Sequence, residues 1–356
     1  MTSSYRVSDF FASPLPHGDQ PLVSVVTPVY NGEGFLAECI ESVLGQTYQN
    51  WDYTIVNNCS TDRTLEIAQS YAAKDPRIRV HNNTDFLPII QNHNNAIRRI
   101  SPESKYCKVV LADDWISPEC LMKMVSLAEA NPSVGLVGAY GLLGDGVHVI
   151  WRGLPFPRTV VSGREACRLR LLKGIYVFGA PTATLIRSEF VRRERNFYDE
   201  SNLHADVTAC FRILLESDFG FVHQILTFTR TNQESNTTFT DRMNSIHLSF
   251  LTELKEFGPH FLDPNEYRRR FDFRLREYYR VLAEGLLQLR GKAYWQFHIQ
   301  RLKALGIPLN WSWLFRGFCG AIVHALTHPV LTARSFARWF PRSLPQRVVH
   351  RKRVEV

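Results

Sequence analysis

The chain has 356 residues, 45% of them hydrophobic and 21% charged, enough apolar material for one large core or two ordinary ones. That composition excludes a disordered chain, a collagen-like repeat and a small disulfide scaffold. Lys and Arg outnumber Asp and Glu by 42 to 34, but residues 301–356 hold ten basic residues against Glu355 alone, so the first 300 are close to neutral.

Residues 1–20 form a leader with no charged start followed by an apolar run, so no signal peptide is expected. From Leu22 onward, apolar runs alternate with amphipathic segments. LVSVVTPV (22–29) reads as a buried strand that exits at Pro28. Phe35, Leu36, Cys39, Ile40, Val43 and Leu44 then recur at helical spacing and predict a helix over 33–46. DYTIVN (52–57) is a second strand. Ser60 is expected to cap a helix reaching Lys74, with Asp62 placed against the dipole of its first turn. A third strand at 77–81, a helix over 88–100 and the apolar strand YCKVVLA (106–112) follow. Ser117-Pro118-Glu119 starts a helix that carries Leu121, Val125 and Ala128 on one face, and VGLVGAY (134–140) is a fifth strand. This alternation predicts an α/β fold with a mostly parallel, doubly wound, Rossmann-like sheet.

Beyond Gly141 the pattern is less regular, with short strands around 147–151 and 176–186. A helix over 205–216 buries Val207, Cys210, Phe211 and Leu214, and FGFVHQILTFTR (219–230) is a long closing strand. Residues 241–300 read as two or three helices. The organisation expected is a leader (1–20), an α/β domain (21–235), a helical extension (236–300) and a basic, aromatic tail (301–356). The seven cysteines are odd in number, scattered and without a CxxC, which argues against a disulfide framework or zinc site and for buried thiols in the cytoplasm. No run of eighteen apolar residues occurs.

In open α/β sheets, ligands bind beyond the carboxyl ends of the strands. Three such ends are polar here: Thr27-Pro28-Val29-Tyr30-Asn31, Asn57-Asn58-Cys59-Ser60-Thr61-Asp62 and Ala112-Asp113-Asp114. A GxGxxG turn is absent, which disfavours a dinucleotide. Adjacent carboxylates repel unless a cation joins them, and Mg²⁺ or Mn²⁺ takes such oxygens while sharing itself with a substrate phosphate. The spacing fits equally a plain turn ahead of the helix at Ser117.

TPVYNGEGFLAECIESVLGQTYQNWDYTIVNNCSTDRT (27–64), followed by VVLADDWISPECL (109–121), resembles a family 2 glycosyltransferase with the GT-A fold, over roughly residues 20–235. The resemblance implies a crevice for a nucleotide-diphosphate sugar, the donor. Thr27, Pro28 and Tyr30 would flank the base and Asn57 would meet its edge. Asp113 would lie near the ribose and sugar, and Asp114 would bind a Mn²⁺ or Mg²⁺ bridging the diphosphate. It also implies a general base at the start of a helix after the sheet, where HADVTACFRIL (204–214) offers Asp206. Without the resemblance, Asp206 is simply an acidic partner of a helix N-terminus.

The chain departs from the family pattern in four places. Asn57-Asn58 replaces an Asp pair, and a neutral amide cannot repeat a carboxylate's contacts. Leu111 stands where a first Asp of D-x-D is common. Asn92-His93-Asn94 stands where an Arg-Asn pair is usual. Asn232 takes the place of a metal-binding His, with a water or His93 as stand-in. Arg230 is a candidate diphosphate contact or a surface ion pair. GAPTAT (179–184) suits the close approach of a sugar or a plain connection, and Trp115 suits a stacked acceptor sugar or a core position.

The function implied is metal-assisted, inverting transfer from a nucleotide-diphosphate sugar, UDP-linked, to a hydroxyl of a saccharide or lipid-linked saccharide. A catalytically degenerate donor-binding or scaffold protein is the alternative. A nucleotidyltransferase is disfavoured, because no glycine-rich basic loop follows strand one. In the tail, Arg316, Gly320, His324 and Thr327 form a narrow polar stripe. Trp313, Leu314, Phe315, Phe318, Ile322, Val323 and Leu326 fill the remaining face, Arg334 and Arg338 precede Trp339-Phe340, and Arg351-Lys352-Arg353 comes near the end. This fits a helix on an anionic membrane at the inner face of the plasma membrane, or an aromatic face packed on the body with solvated arginines. No nucleic-acid motif accompanies the charge.

Overall fold

The strand Val23–Val29 (β1) is buried along its whole length, as an apolar run covered on both faces of a sheet must be. In the computed structural model, which describes residues 20–144, 146–150, 153–230, 240 and 242–327, β1 pairs in parallel with Trp51–Asn57 (β2) and with Tyr106–Val109 (β4). Ile78–Asn82 (β3) lies outside β2, also parallel. Register places Val29 opposite Asn57 and Asn57 opposite Asn82, so the polar strand ends come level.

The other described strands are Trp115–Ile116 (β5), Val134–Leu143 (β6), Val149–Ile150 (β7), Val160–Val161 (β8), Thr184–Arg187 (β9) and Asp218–Thr229 (β10). They complete a sheet of order β3-β2-β1-β4-β9-β6-β10-β5. β10 runs parallel to β6. β9 enters antiparallel between β4 and β6, and β5 adds antiparallel to β10. The expected mostly parallel α/β sheet is therefore present, with these antiparallel insertions on the side away from β3.

Crossover helices Leu36–Leu44 (α1), Thr64–Ala72 (α2), Ile89–Ile97 (α3) and Cys120–Ala130 (α4) link the first strands. Leu36, Cys39, Ile40 and Val43 of α1 recur at helical spacing and join Val23, Val25 and Tyr53 in the core. Ser60 does not cap α2: its hydroxyl accepts from the Asn31 amide (2.9 Å). Asp62 instead accepts from the amides of Thr64 and Glu33, both at 3.0 Å, and this ties the start of α2 to the loop after β1.

Two expectations past Gly141 need correction. The stretch 176–186 is not one strand; a 3₁₀ turn, Pro181–Ala183, precedes β9. The helix Gly163–Lys173 (α5) is absent from the predicted elements. Its Ser162 N-cap accepts from the Glu165 amide (3.2 Å), and Gly174 ends it in the left-handed region at φ 69°. Ser188–Arg192 (α6) and Ala205–Ile213 (α7) follow.

The later helices are Ile246–Phe261 (α8), Pro264–Leu287 (α9), Lys292–Ala304 (α10) and Trp311–Thr327 (α11). The chain divides into two compact units: residues up to Arg242 with Thr252–Arg270, and Met243–Leu251 with the residues from Phe271 onward. The second unit has its own core, built on Leu248, Leu251, Tyr278, Tyr279, Leu282, Ala283, Tyr294, Leu302 and Leu314. His298 is buried there between the Tyr278 hydroxyl (2.7 Å) and the Met243 carbonyl (2.8 Å), and burial holds its pKa down at about 4. Among the described residues, no helix is long and apolar enough to cross a membrane. The leader up to Asp19, Asn232 and the tail from His328 onward lie outside the described residues.

Candidate active site

At the end of β1, Thr27 faces inward. Its hydroxyl donates to the Val110 carbonyl (2.7 Å) and meets the Tyr53 hydroxyl (2.8 Å), so it is committed to the core. Pro28 is buried behind it. Tyr30, where the strand leaves the sheet, is exposed and sets its ring edge-on to Phe86 at 5.0 Å.

The β2 end carries a set of neutral amides. Asn57 is buried and donates through Nδ2 to Asn82 Oδ1 (2.6 Å), while its own Oδ1 is buried without a partner. Asn58 Oδ1 accepts from the Leu87 amide and from Asn83 Nδ2, each at 2.9 Å. Asn83 continues to Asn92 Oδ1 (3.0 Å), and Asn95 donates back to Asn83 (2.7 Å). Side chains from the β2 end, α3 and the loop between β3 and α3 thus share a network of amides, joined at Asn95 by the Arg99 guanidinium (3.3 Å).

The β4 end carries the opposite chemistry. Asp114 is buried; its Oδ2 accepts from the Thr182 hydroxyl (2.6 Å) and its Oδ1 from the Arg230 amide (3.1 Å). Burial, and then the neighbouring Asp113 charge, push its pKa up to about 7. Burial also raises the pKa of Asp113. Thr182 sits in the 3₁₀ turn, accepts from the Leu111 amide (3.1 Å), and has its carbonyl gripped by Lys108 Nζ at 2.5 Å. Lys108 is itself buried inside β4 and reaches the Thr184 carbonyl as well (3.1 Å). A lysine in the middle of YCKVVLA is the sequence signal for this clamp.

Arg230 is placed beside the carboxylates, with its guanidinium engaged. Nε donates to the Asp113 carbonyl (3.2 Å), Nη2 pairs with Glu38 (2.6 Å), and the group lies over the Phe35 ring at 4.6 Å. Trp115 stacks on Phe228 at 5.1 Å.

Asp206, second residue of α7, is half-buried and receives a hydrogen bond from the Tyr176 hydroxyl (3.4 Å). Burial raises its pKa, against the pull of His204. Beneath Tyr176, at 5.0 Å, lies the Arg170 guanidinium, which forms a buried bidentate pair with Glu253 (2.7 Å each). His93 connects the two acidic regions: it feels the charges of both Asp206 and Asp113, while burial lowers its own pKa. Asp113 and Asp206 thus both act on His93 of α3, the helix that also carries Asn92 and Asn95 of the amide network. Thr182, Lys108, Tyr176, Arg170 and Glu253 escape sequence reasoning, since their partners lie far along the chain.

Among the described residues, no group of three or more His, Cys, Asp or Glu is arranged to hold a metal. The donor set at Asp113 and Asp114 nonetheless suits Mg²⁺ or Mn²⁺. The two adjacent carboxylates offer hard oxygen donors, and these ions commonly take one or two carboxylates together with water and substrate phosphates.

Residues 24–195 match the profile described as Glycosyl transferase family 2. A putative glycosyltransferase, EpsE of Bacillus subtilis, is 31% identical over 192 residues, covering 50% of this chain and 64% of that protein. The chain spans less than two thirds of the length of the curated relatives it matches at this level of identity. Among solved structures, Staphylococcus aureus TarS 1–349 in complex with UDP-GlcNAc aligns with TM-score 0.58 at 18% identity, covering 80% of each chain. The mannosyltransferase PcManGT of Pyrobaculum calidifontis, in complex with GDP-Man and Mn²⁺, aligns with TM-score 0.53 at 16% identity, covering 92% of this chain and 86% of that one. These structures share the fold, which is of the GT-A type. Polar strand ends on a mostly parallel sheet go with the match over residues 24–195, just under half of the chain, and mark that segment as a domain of the family 2 glycosyltransferase type.

Proposed function

We propose that the chain is an inverting glycosyltransferase that moves a sugar from a nucleotide-diphosphate donor, UDP-linked, to a hydroxyl of a saccharide or lipid-linked saccharide in the cytoplasm, at the inner face of the plasma membrane. The observation that carries this reading is the adjacent Asp113–Asp114 pair at the end of β4, with Asp114 held by the Thr182 hydroxyl (2.6 Å) and the Arg230 amide (3.1 Å). The Asp113–Asp114 pair supplies one end of the reaction and the separate carboxylate Asp206 the other. The donors bound by TarS and PcManGT support the substrate class.

In this reading the base lies between Pro28 and Tyr30. The unpartnered Asn57 Oδ1 accepts an N–H from the base edge, which the imide of uracil supplies. Thr27 contributes only the position of its backbone, since its hydroxyl is spent in the core. Asp113 meets the ribose and sugar. Asp114, with Asp113, would hold the divalent ion, whose positive charge would offset that of the departing diphosphate. Arg230 braces the Asp113 loop through Glu38 and reaches the diphosphate if that ion pair opens.

At the other end, the acceptor hydroxyl oxygen bonds to the anomeric carbon as the carbon–oxygen bond to the diphosphate breaks, and Asp206 takes the hydroxyl proton. Attack from the side opposite the leaving group inverts the anomeric centre. Burial raises the proton affinity of Asp206, and the Tyr176 hydroxyl, shared with the Gly179 carbonyl (3.1 Å), stands 3.4 Å from its carboxylate. The second reading, a donor-binding protein without turnover, is favoured by the neutral Asn57-Asn58 at the position of an acidic pair, with Asn57 bonded to another amide, Asn82. Nucleotide-diphosphate release from a panel of nucleotide sugars with Mn²⁺ or Mg²⁺ decides between them. Donor binding without release, or full release by Asp206→Asn, would remove the transfer mechanism.

A further inference from the structure

α11 divides its apolar residues between two faces. Leu314, 4% exposed, enters the core of the second unit. Gly317 lets the helix approach α9 so closely that a Cβ there would lie 3.0 Å from the Tyr279 carbonyl and 3.1 Å from Ala283 Cβ. Trp313 completes this inner face against Tyr279, with ring centroids 5.9 Å apart. Half of the helix is thus covered by the second unit's own core, not by the α/β domain.

The other half is outside. Trp311 (72% exposed), Phe315 (67%), Ile322 (37%) and Leu326 (76%) recur every three to four residues and form one stripe, with Val323 (58%) along its border. Cys319 falls on the same stripe and is exposed. At 1.5 Å per residue the stripe runs about 25 Å, and exposed Arg316 stands at its edge beside Val323. Seven basic residues follow in the sequence: Arg334, Arg338, Arg342, Arg347, Arg351, Lys352 and Arg353, against Glu355.

We infer that the outer stripe of α11 lies in the surface of an anionic lipid bilayer. A stripe of Trp, Phe and Leu with arginine at its border is the pattern of a helix that lies flat at the headgroup level, where the guanidinium reaches phosphates and the rings enter the acyl boundary. The charge selects the partner: the excess of the whole chain sits in residues 301–356, which contain this helix, and an anionic leaflet attracts it. The helix lies on the bilayer rather than across it, in keeping with its length. This deepens the membrane part of the proposed function but requires no turnover.

The test uses the full chain, labelled at Cys319 with a polarity-sensitive thiol probe, and two vesicle types: phosphatidylglycerol mixed with phosphatidylcholine, and phosphatidylcholine alone. Neither donor nor metal is added, so its outcome and that of the transfer assay are independent. The probe is expected to shift to the blue only with the mixed vesicles, with partitioning about tenfold stronger than to the neutral ones and weakened by salt. Trp311→Glu with Phe315→Glu and Leu326→Glu should lower partitioning at least about tenfold while leaving the circular dichroism and melting profile in place. Arg316→Gln, which spares the fold, should lower it by a smaller factor. Equal binding to neutral vesicles, or undiminished binding by the triple variant, overturns the inference. So does a probe already shielded without vesicles, with light scattering then assigning the stripe to a second copy or to the chain's own end.

Discussion

The two sides of the candidate site solve the same problem, polar groups held at buried strand ends, by opposite means. On the side proposed for the base, Asn57, Asn58, Asn82, Asn83, Asn92 and Asn95 bond mainly to one another and to backbone, with no carboxylate among them. On the sugar side Asp113, Asp114 and Asp206 are held with raised proton affinities and few donors. A matched amide network is indifferent to pH, whereas buried carboxylates near each other are poised to take up a cation or a proton. In the proposed reading, the amide side serves shape and the carboxylate side serves chemistry.

Substitutions on the sugar side break that contrast most sharply. Asp206→Asn keeps the shape of the side chain and removes the proton acceptor, and should lower nucleotide-diphosphate release by about 10²–10⁴-fold with donor binding intact, as seen by calorimetry with the donor. Thr182→Val is next. It strips a hydroxyl from Asp114 and an acceptor from the Leu111 amide, a loss of roughly 1.5–3 kcal/mol, or about 10–100-fold in the Mn²⁺ concentration for half-maximal rate. Thr182→Ser should restore it.

The pH dependence has a definite sign. The pKa of Asp114 in the fold is about 7, above that of an unfolded aspartate at about 4, so the native state binds the extra proton between these values. Its contribution to stability is complete below pH ~4 and is lost as pH rises to ~7. In the presence of a chelator, urea midpoints should fall over that window, and Asp114→Asn should flatten the fall; an unchanged slope would contradict the burial of this carboxylate. The smallest effect belongs to the base side. Asn57→Asp replaces the donor to Asn82 by a carboxylate, and should change UDP affinity by a few-fold, about 1 kcal/mol, in an equilibrium titration.

Much of the sheet is legible in the sequence because β1, β2, β4 and β6 are short, largely apolar and β-branched or aromatic runs and α1 repeats its buried residues at helical spacing. α5 is not, for a physical reason: Arg170 occupies its buried face, and the charge is matched by Glu253, 83 residues away. The capping pair Ser162 and Glu165, with Gly174 at the far end, is the local signal that could have revealed it. The site divides the same way. Adjacent Asp113 and Asp114 stand out in a linear reading. The Thr182 hydroxyl that holds Asp114 arrives from 68 residues further on, inside a turn that looks like a plain strand connection. Ser60 shows the reverse failure, a good capping residue drawn off by the Asn31 backbone across the crevice.

Lys108 has a consequence for measurement. Its amine is enclosed by the Thr182 and Thr184 carbonyls and the Met124 sulfur, and once uncovered it regains the reactivity of an ordinary solvent-exposed lysine. While the sheet is closed, an acylating reagent has no path to it. Its acetylation rate, read by mass spectrometry at this one peptide, therefore times the opening of the sheet at the strand that carries Asp113 and Asp114, and gives the chain an internal clock for unfolding.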